Sequence, residues 1–367
     1  MTLKLDSVSR VVNGETHIDG ISLTLPAGSF NVLLGLTLAG KTTLMRLMAG
    51  LDKPSRGRVW MNGVDVTDVP VRKRNVAMVY QQFINYPSLT VYDNIASPLR
   101  LAKLPKAEID RRVRAEAERL HIDHLLDRLP GELSGGQQQR TAIARALVRD
   151  ADLVLLDEPL VNLDYKLREE LRAEMREIFA RRRAVVVYAT TDPREALSLG
   201  GNTAVLDKGR LVQYGPTLEV YHRPANTGVG YVFADPPMNM VDGTLEDGAI
   251  RLDDGTLLPT AAHLAGLPAG RYRFGIRPAH MSVRRRSQAQ VEVRAEVEVP
   301  EISGSETYLH VRHNGSSWVI QEEGVLDFEL GAVVSVHMDP ARLFAFDAGG
   351  RLVAAPTPPP PLPRLRA

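Results

Sequence analysis

Through residue 235 the apolar positions switch repeatedly between strand and helix periodicity, the layout of an α/β layer fold. Leu3–Val8 and Ile21–Leu25 read as strands, the second alternating and ending at the turn Pro26-Ala27-Gly28. Phe30–Leu34 is apolar apart from Asn31, as a largely buried central strand requires. Lys41 to Ala49 then place Leu44, Leu47 and Met48 at helical spacing, and Gly50 stops the helix. Leu153–Leu156 and Val185–Tyr188 are further buried-type strands, separated by a charged helix over Lys166 to Arg183.

Two stretches depart from that alternation. From Pro105 to Leu126, Ile109, Val113, Ala117 and Leu120 recur every three or four residues among Arg and Glu, which predicts an amphipathic helix within a helical subdomain over about residues 88–150. After Arg223-Pro224 proline and glycine rise. From Asp242 onward short strands such as Val291–Val299, Thr307–Arg312 and Val333–His337 are spaced as in a small β-barrel. The expected domains are therefore residues 1–235 and 236–355, followed by a tail over 356–367 whose prolines predict an extended linker or disordered end.

Composition narrows the function classes. Lys and Arg number 45 against 44 Asp and Glu, a net charge of +1 that carries no global nucleic-acid signature. The short runs Arg181–Arg183 and Arg284–Arg286 read as solvated faces. With no cysteine among the 367 residues, disulfides and thiolate chemistry are excluded. No apolar run reaches the roughly 18 residues that span a bilayer, and Met1–Asp6 lacks the layout of a signal peptide. A soluble cytosolic chain is expected, with any membrane role reached through a partner.

Three motifs carry chemistry. Gly35-Leu36-Thr37-Leu38-Ala39-Gly40-Lys41-Thr42, followed by Thr43, fits G-x-x-x-x-G-K-[ST] between a strand and a helix. Such a loop wraps a β-phosphate with backbone N–H groups at a helix N-terminus. Lys41 would bridge β- and γ-phosphates, and the Thr42 hydroxyl would ligate Mg²⁺. Asp157 and Glu158 end the apolar strand Leu153–Leu156. The first would hold Mg²⁺, and the second would reach and polarise the attacking water. Ser134-Gly135-Gly136-Gln137 opens a helix running to Val148, with Ser134 as N-cap. Because the phosphate loop already surrounds the β-phosphate in cis, a second glycine-rich helix start suits the γ-phosphate of another chain's ATP.

The order of these motifs resembles the ATP-hydrolysing subunits of ABC (ATP-binding cassette) transporters, and the C-terminal part is similar to the appended β-domain of carbohydrate-importer ATPases. The resemblance implies an α/β P-loop NTPase fold with an inserted helical subdomain, followed by a C-terminal OB-like β-barrel. Val79-Tyr80-Gln81-Gln82-Phe83 matches the family's glutamine segment, which makes Gln81 the Mg²⁺ ligand and γ-phosphate sensor. Asn162-Leu163-Asp164 matches its dimer-contact loop. Arg223–Asn226, Pro236–Asn239, Gly275–Pro278 and Asp339–Leu343 are similar to segments of the maltose and glycerol-phosphate importer ATPases.

Three positions depart from the family pattern. Thr191 stands where a histidine usually meets the γ-phosphate, and a hydroxyl cannot carry imidazole's charge. Val12 matches the position whose aromatic ring usually stacks on adenine. Val161 replaces a small hydroxyl residue. The altered set predicts an ATP binder whose own site turns over slowly and which pairs with a second ATPase, identical or not. The interior Thr37-Leu38-Ala39 and the missing histidine resemble the ATPases of some polyol importers, glycerol uptake in particular.

The resemblance implies ATP and Mg²⁺ as cofactors and integral-membrane permease subunits as partners, with a solute-binding protein involved indirectly and no nucleic acid. It implies a peripheral position on the cytoplasmic face of the inner membrane. Two other readings have less support. A soluble ABC-type regulator of a ribosomal or DNA-repair complex would carry two cassettes or a coiled-coil insertion, and a nucleotide kinase would lack the Ser134 signature.

Overall fold

The computed structural model describes every residue except Phe83, Asn162, Asp164, Arg181, Arg182 and 359–367, and the side chains of Leu167 and Ala180. The packing divides between Thr217 and Leu218 into two compact units.

The first unit holds two sheets. β1 (Leu3–Val12), β2 (Glu15–Leu25), β4 (Arg56–Met61) and β5 (Val64–Asp65) form an antiparallel sheet in the order β2-β1-β4-β5. The second sheet contains β3 (Phe30–Leu34), β6 (Val76–Val79), β7 (Leu153–Asp157), β8 (Val185–Thr190), β9 (Asn202–Asp207) and β10 (Arg210–Pro216), in the order β10-β9-β3-β8-β7-β6. Its strands pair in parallel except β10 with β9. β7 and β8 are buried along their whole length, as expected for strands covered on both faces. α1 (Lys41–Ala49) leaves the end of β3 and buries Leu44, Leu47 and Met48 in the core shared with both sheets.

The helical insertion contains α2 (Val91–Leu101), α3 (Lys106–Arg119) and α4 (Gly135–Leu147). α2 went unread in the sequence, although Thr90 caps it by accepting a hydrogen bond from the Asp93 amide at 3.1 Å. Ile109, Val113 and Ala117 line the buried stripe of α3 as their spacing requires. That helix is shorter than the predicted 105–126. Leu120 caps it, His121 takes a left-handed backbone at φ 54, and the chain turns away. α5 (Tyr165–Ala180) supplies the charged helix between β7 and β8; the predicted end at Arg183 passes through Arg181 and Arg182, which lie outside the described residues.

The second unit begins earlier than the expected boundary at residue 236. It includes two short helices, α7 (Thr217–His222, from its second residue) and α8 (Thr227–Val232). They are tied there by backbone hydrogen bonds from Thr227 to Gly350 and from Leu352 to Ala225, and by an edge contact of the Tyr221 and Phe233 rings. α6 (Pro193–Leu199) belongs to the first unit. Beyond residue 238 the described part of the unit is built mainly of short strands, from Asn239–Glu246 to Leu352–Ala354, in a six-stranded and a five-stranded antiparallel sheet. Apolar faces of both sheets meet around Phe274, Trp318, Ile320 and Val336, forming the core of a small, nearly closed β-barrel of OB type. Of the proline tail, only the first three residues, 356–358, are described.

Candidate functional site

The phosphate loop connects β3 to α1, and two glycines determine its course. A Cβ on Gly35 would lie 2.6 Å from the Leu206 carbonyl oxygen of β9. Gly40 has φ +100, and a Cβ there would meet Ile18 Cδ1 at 2.9 Å. Between them Leu38 also adopts a left-handed backbone, φ 67, and is 94% exposed. The loop thus presents its backbone N–H groups beside the start of a nine-residue helix.

Lys41 is 5% exposed and folds back over this loop. Its ammonium donates to the Gly35 carbonyl at 2.8 Å and to the Leu36 carbonyl at 3.2 Å, and it lies 3.3 Å from Glu158 Oε1. Burial lowers its pKa, and the Glu158 carboxylate opposes that shift. Gln81, just past β6, donates from Nε2 to the other Glu158 oxygen at 3.1 Å. Glu158 is therefore gripped from two sides. Its backbone is left-handed, φ 46, and its amide donates to the Ala189 carbonyl at 3.0 Å, so parallel pairing of β7 with β8 positions the carboxylate.

Asp157 is 3% exposed. Burial raises its pKa; a hydrogen bond with the Thr42 side chain and the charge of Lys41 pull the other way. The all-oxygen donor set of Asp157, Thr42 and the Gln81 amide fits Mg²⁺, which takes few protein ligands and keeps waters and phosphate oxygens.

These groups surround a cleft of about 610 Å³ lined by Thr37 through Thr43, Gln81 and Glu158. Its remaining wall comes from residues the sequence had not singled out: Glu15, Thr16 and His17 of β2, with Lys208 and Gly209 after β9. Val12 pairs with Glu15 at the base of the hairpin turn and does not line the cleft. The hairpin contributes His17 instead; Ile18 is buried, and a Cβ added at Gly40 would lie 3.1 Å from the His17 carbonyl oxygen, so the two segments approach closely here. Only that tertiary contact reveals it. Thr191 also stays off the cleft wall, half-buried one residue beyond the end of β8. Gly35, Leu36 and Asp157 are likewise absent from the cleft wall.

Ser134, Gly135, Gly136 and Gln137 do not line this cleft. They open α4, where Ser134 Oγ accepts from the Gln137 amide at 3.4 Å and Gln137 Oε1 accepts from the Ser134 amide at 3.0 Å, a reciprocal capping box. Ser134 and Gly135 are exposed. A Cβ on Gly135 would meet nothing within 4 Å, so this chain's own packing places no demand for glycine there. In the dimer-contact loop Leu163 is 6% exposed, while Asn162 and Asp164 lie outside the described residues.

Residues 18–161 match the family described as ABC transporter, and residues 274–346 match the TOBE domain. The trehalose/maltose import ATP-binding protein of Thermococcus litoralis is 40% identical over 361 residues, covering 94% of this chain and 97% of that one. This chain belongs to the ABC transporter ATP-binding subunits. The sn-glycerol-3-phosphate import ATP-binding protein of Salmonella typhimurium is 36% identical over 348 residues, with coverage of 94% and 97%. The oligosaccharides import ATP-binding protein of Bacillus subtilis is 36% identical over 342 residues, with coverage of 91% and 94%. Among solved structures, a dimeric ATP-binding cassette in a post-hydrolysis state with ADP and Pi superposes with a TM-score of 0.54 at 26% identity, covering 59% of this chain and 98% of that one. The phosphate loop, Gln81 and Glu158 thus border one cleft in a chain of this family. No helix among the described residues is long and apolar enough to cross a membrane.

Proposed function

We propose that this chain is the ATP-hydrolysing subunit of an importer for a small carbohydrate or polyol, glycerol or a glycerol derivative among them, working from the cytoplasmic face of the membrane. The observation that carries the mechanism is the split between its two phosphate-binding features. Lys41, Gln81 and Glu158 line one cleft, whereas Ser134–Gln137 are not part of its wall and a Cβ on Gly135 would meet nothing within 4 Å. That split suits a head-to-tail pair of ATPase subunits, each lending its signature helix to its partner's nucleotide.

Within the cleft, Lys41 binds the phosphates and releases its hold on Glu158 as they compete for the ammonium. Glu158 then accepts the proton of the attacking water, and Gln81 keeps the carboxylate oriented. When bound through Asp157, Thr42 and Gln81, Mg²⁺ supplies charge neutralisation on the phosphates. The Gln81 segment leads into the helical insertion, where Met78, Tyr86, Pro98, Leu101 and Arg145 line a groove of about 370 Å³. Leu101 in that groove is 84% exposed, and Ile84, outside its lining in the segment after Gln81, is 60% exposed, which suits an apolar segment of a permease subunit. Affinity capture from solubilised membranes tests the reading: co-isolation of integral-membrane permease subunits is expected. Recovery with ribosomes or DNA instead would favour the soluble regulator. The same eluate tells whether a second, non-identical ATPase accompanies the chain.

Thr191 leaves the γ-phosphate without an imidazole, so turnover at this chain's own site is expected to be slow. Thr191→His extends a longer, chargeable donor from the end of β8 and should raise steady-state ATP hydrolysis of the isolated subunit. Brisk wild-type turnover that this substitution does not increase would remove the slowed-site proposal.

A further inference from the structure

The C-terminal unit contains a cavity of about 180 Å³, remote in sequence from every nucleotide motif. Tyr221 and His222 of α7, Arg277 and His280 after the strand Gly270–Ile276, and Arg342 with Phe344 line it. Residues 356–358, the last described segment, close one side. No lining residue bears a carboxylate.

Arg277 dominates this cavity and is only 5% exposed. One terminal nitrogen donates to the Tyr221 carbonyl at 2.5 Å, and the guanidinium lies 3.7 Å from the centre of the Tyr221 ring and 4.8 Å from that of Phe344. These contacts hold the cation without neutralising it, and its Nε has no hydrogen-bond partner among the described residues. A buried guanidinium without an anion is costly and is ordinarily paired. His280 Nδ1 is likewise buried and unpartnered. Its imidazole is pushed down to about 4, first by burial and then by the charges of Arg277 and Arg342, with Asp339 opposing. Asp339 itself is engaged locally, where its carboxylate accepts from the Ala341 amide at 2.9 Å.

We propose that this cavity binds a small phosphate-bearing anion, either free phosphate or the phosphate group of a small monoester. Guanidinium forks match phosphate oxygens, and donors arriving from three separate chain segments suit a tetrahedral anion better than a planar carboxylate. The volume holds about six waters at roughly 30 Å³ each, enough for a phosphate with a short carbon chain. It falls below the roughly 300 Å³ at which pockets for larger ligands begin, which favours a small anion over a nucleotide.

The test uses the full-length chain with its nucleotide cleft saturated by Mg-ADP, dialysed to equilibrium against radiolabelled inorganic phosphate. One retained equivalent is expected. Arg277→Gln and Arg342→Gln should each weaken retention about tenfold or more, the scale of a lost charge-assisted hydrogen bond. Arg342 is only half-buried, so Arg342→Gln decides the matter if Arg277→Gln fails to fold. Displacement of label by a three-carbon polyol monophosphate assigns the site to phosphomonoesters. Displacement by phosphate and sulfate alone assigns it to the free ion, and both results uphold the site. Absence of retention at millimolar phosphate overturns the proposal, as does retention unchanged in every folded variant.

Discussion

Replacing Glu158 by glutamine is expected to slow ATP hydrolysis by about 10²–10⁴-fold, the usual contribution of a positioned base, which corresponds to about 3–5 kcal/mol of barrier. The substitution preserves shape. The carbonyl oxygen of the new amide can still accept from Gln81 Nε2, which donates across 3.1 Å in the wild type. What disappears is the group that takes the proton of water. Lys41 loses its carboxylate partner at 3.3 Å, and the nucleotide's own phosphates take that place, so ATP affinity should be retained. Single-turnover hydrolysis together with nucleotide binding on the same preparation separates these effects. A rate within about threefold of wild type would show that the proton leaves by another route.

The second large effect is expected at Gly135, where stability and activity should move apart. Because a Cβ there meets nothing within 4 Å, Gly135→Ala should leave the melting temperature unchanged or raise it, with a helix-propensity gain of at most about 1 kcal/mol. Hydrolysis should nonetheless fall about 10²-fold, the scale of misplacing one aligned donor at a reacting phosphate, because the added methyl enters the space of the partner's nucleotide. Mixing sharpens the test. Where two copies pair, a Gly135→Ala subunit combined with a Glu158→Gln subunit rebuilds one intact composite site per mixed dimer. An equimolar mixture of these two impaired variants should then recover about a quarter of wild-type activity. A mixture no more active than its components would place the signature's action within its own chain.

Legibility differed between residues for physical reasons. The phosphate loop, the acid pair and the signature helix were readable because each lies within a few consecutive residues whose chemistry follows from local backbone. The buried strands Leu153–Asp157 and Val185–Thr190 were readable because strands covered on both faces are apolar throughout. α2 was missed because Pro98 sits inside it and its apolar stripe is short, although Thr90 carried a capping signal. The early start of the second unit was missed because hydrogen bonds from residues 225–227 to 350–352 join segments distant in sequence.

Residue type and short-range spacing were enough to point to the groups that would bind phosphate and the carboxylate that would activate water, and to show that a small β-barrel follows the cassette. Tertiary structure alone decided how those groups meet. It put Glu158 between Lys41 and Gln81, both far from it along the chain, and brought His17 rather than Val12 to the wall of the cleft beside the phosphate loop. It also enclosed Arg277 without a carboxylate partner among the described residues. The reason is common to all three: burial and long-range contact are properties of the packed chain, and no local pattern encodes which distant segment will arrive.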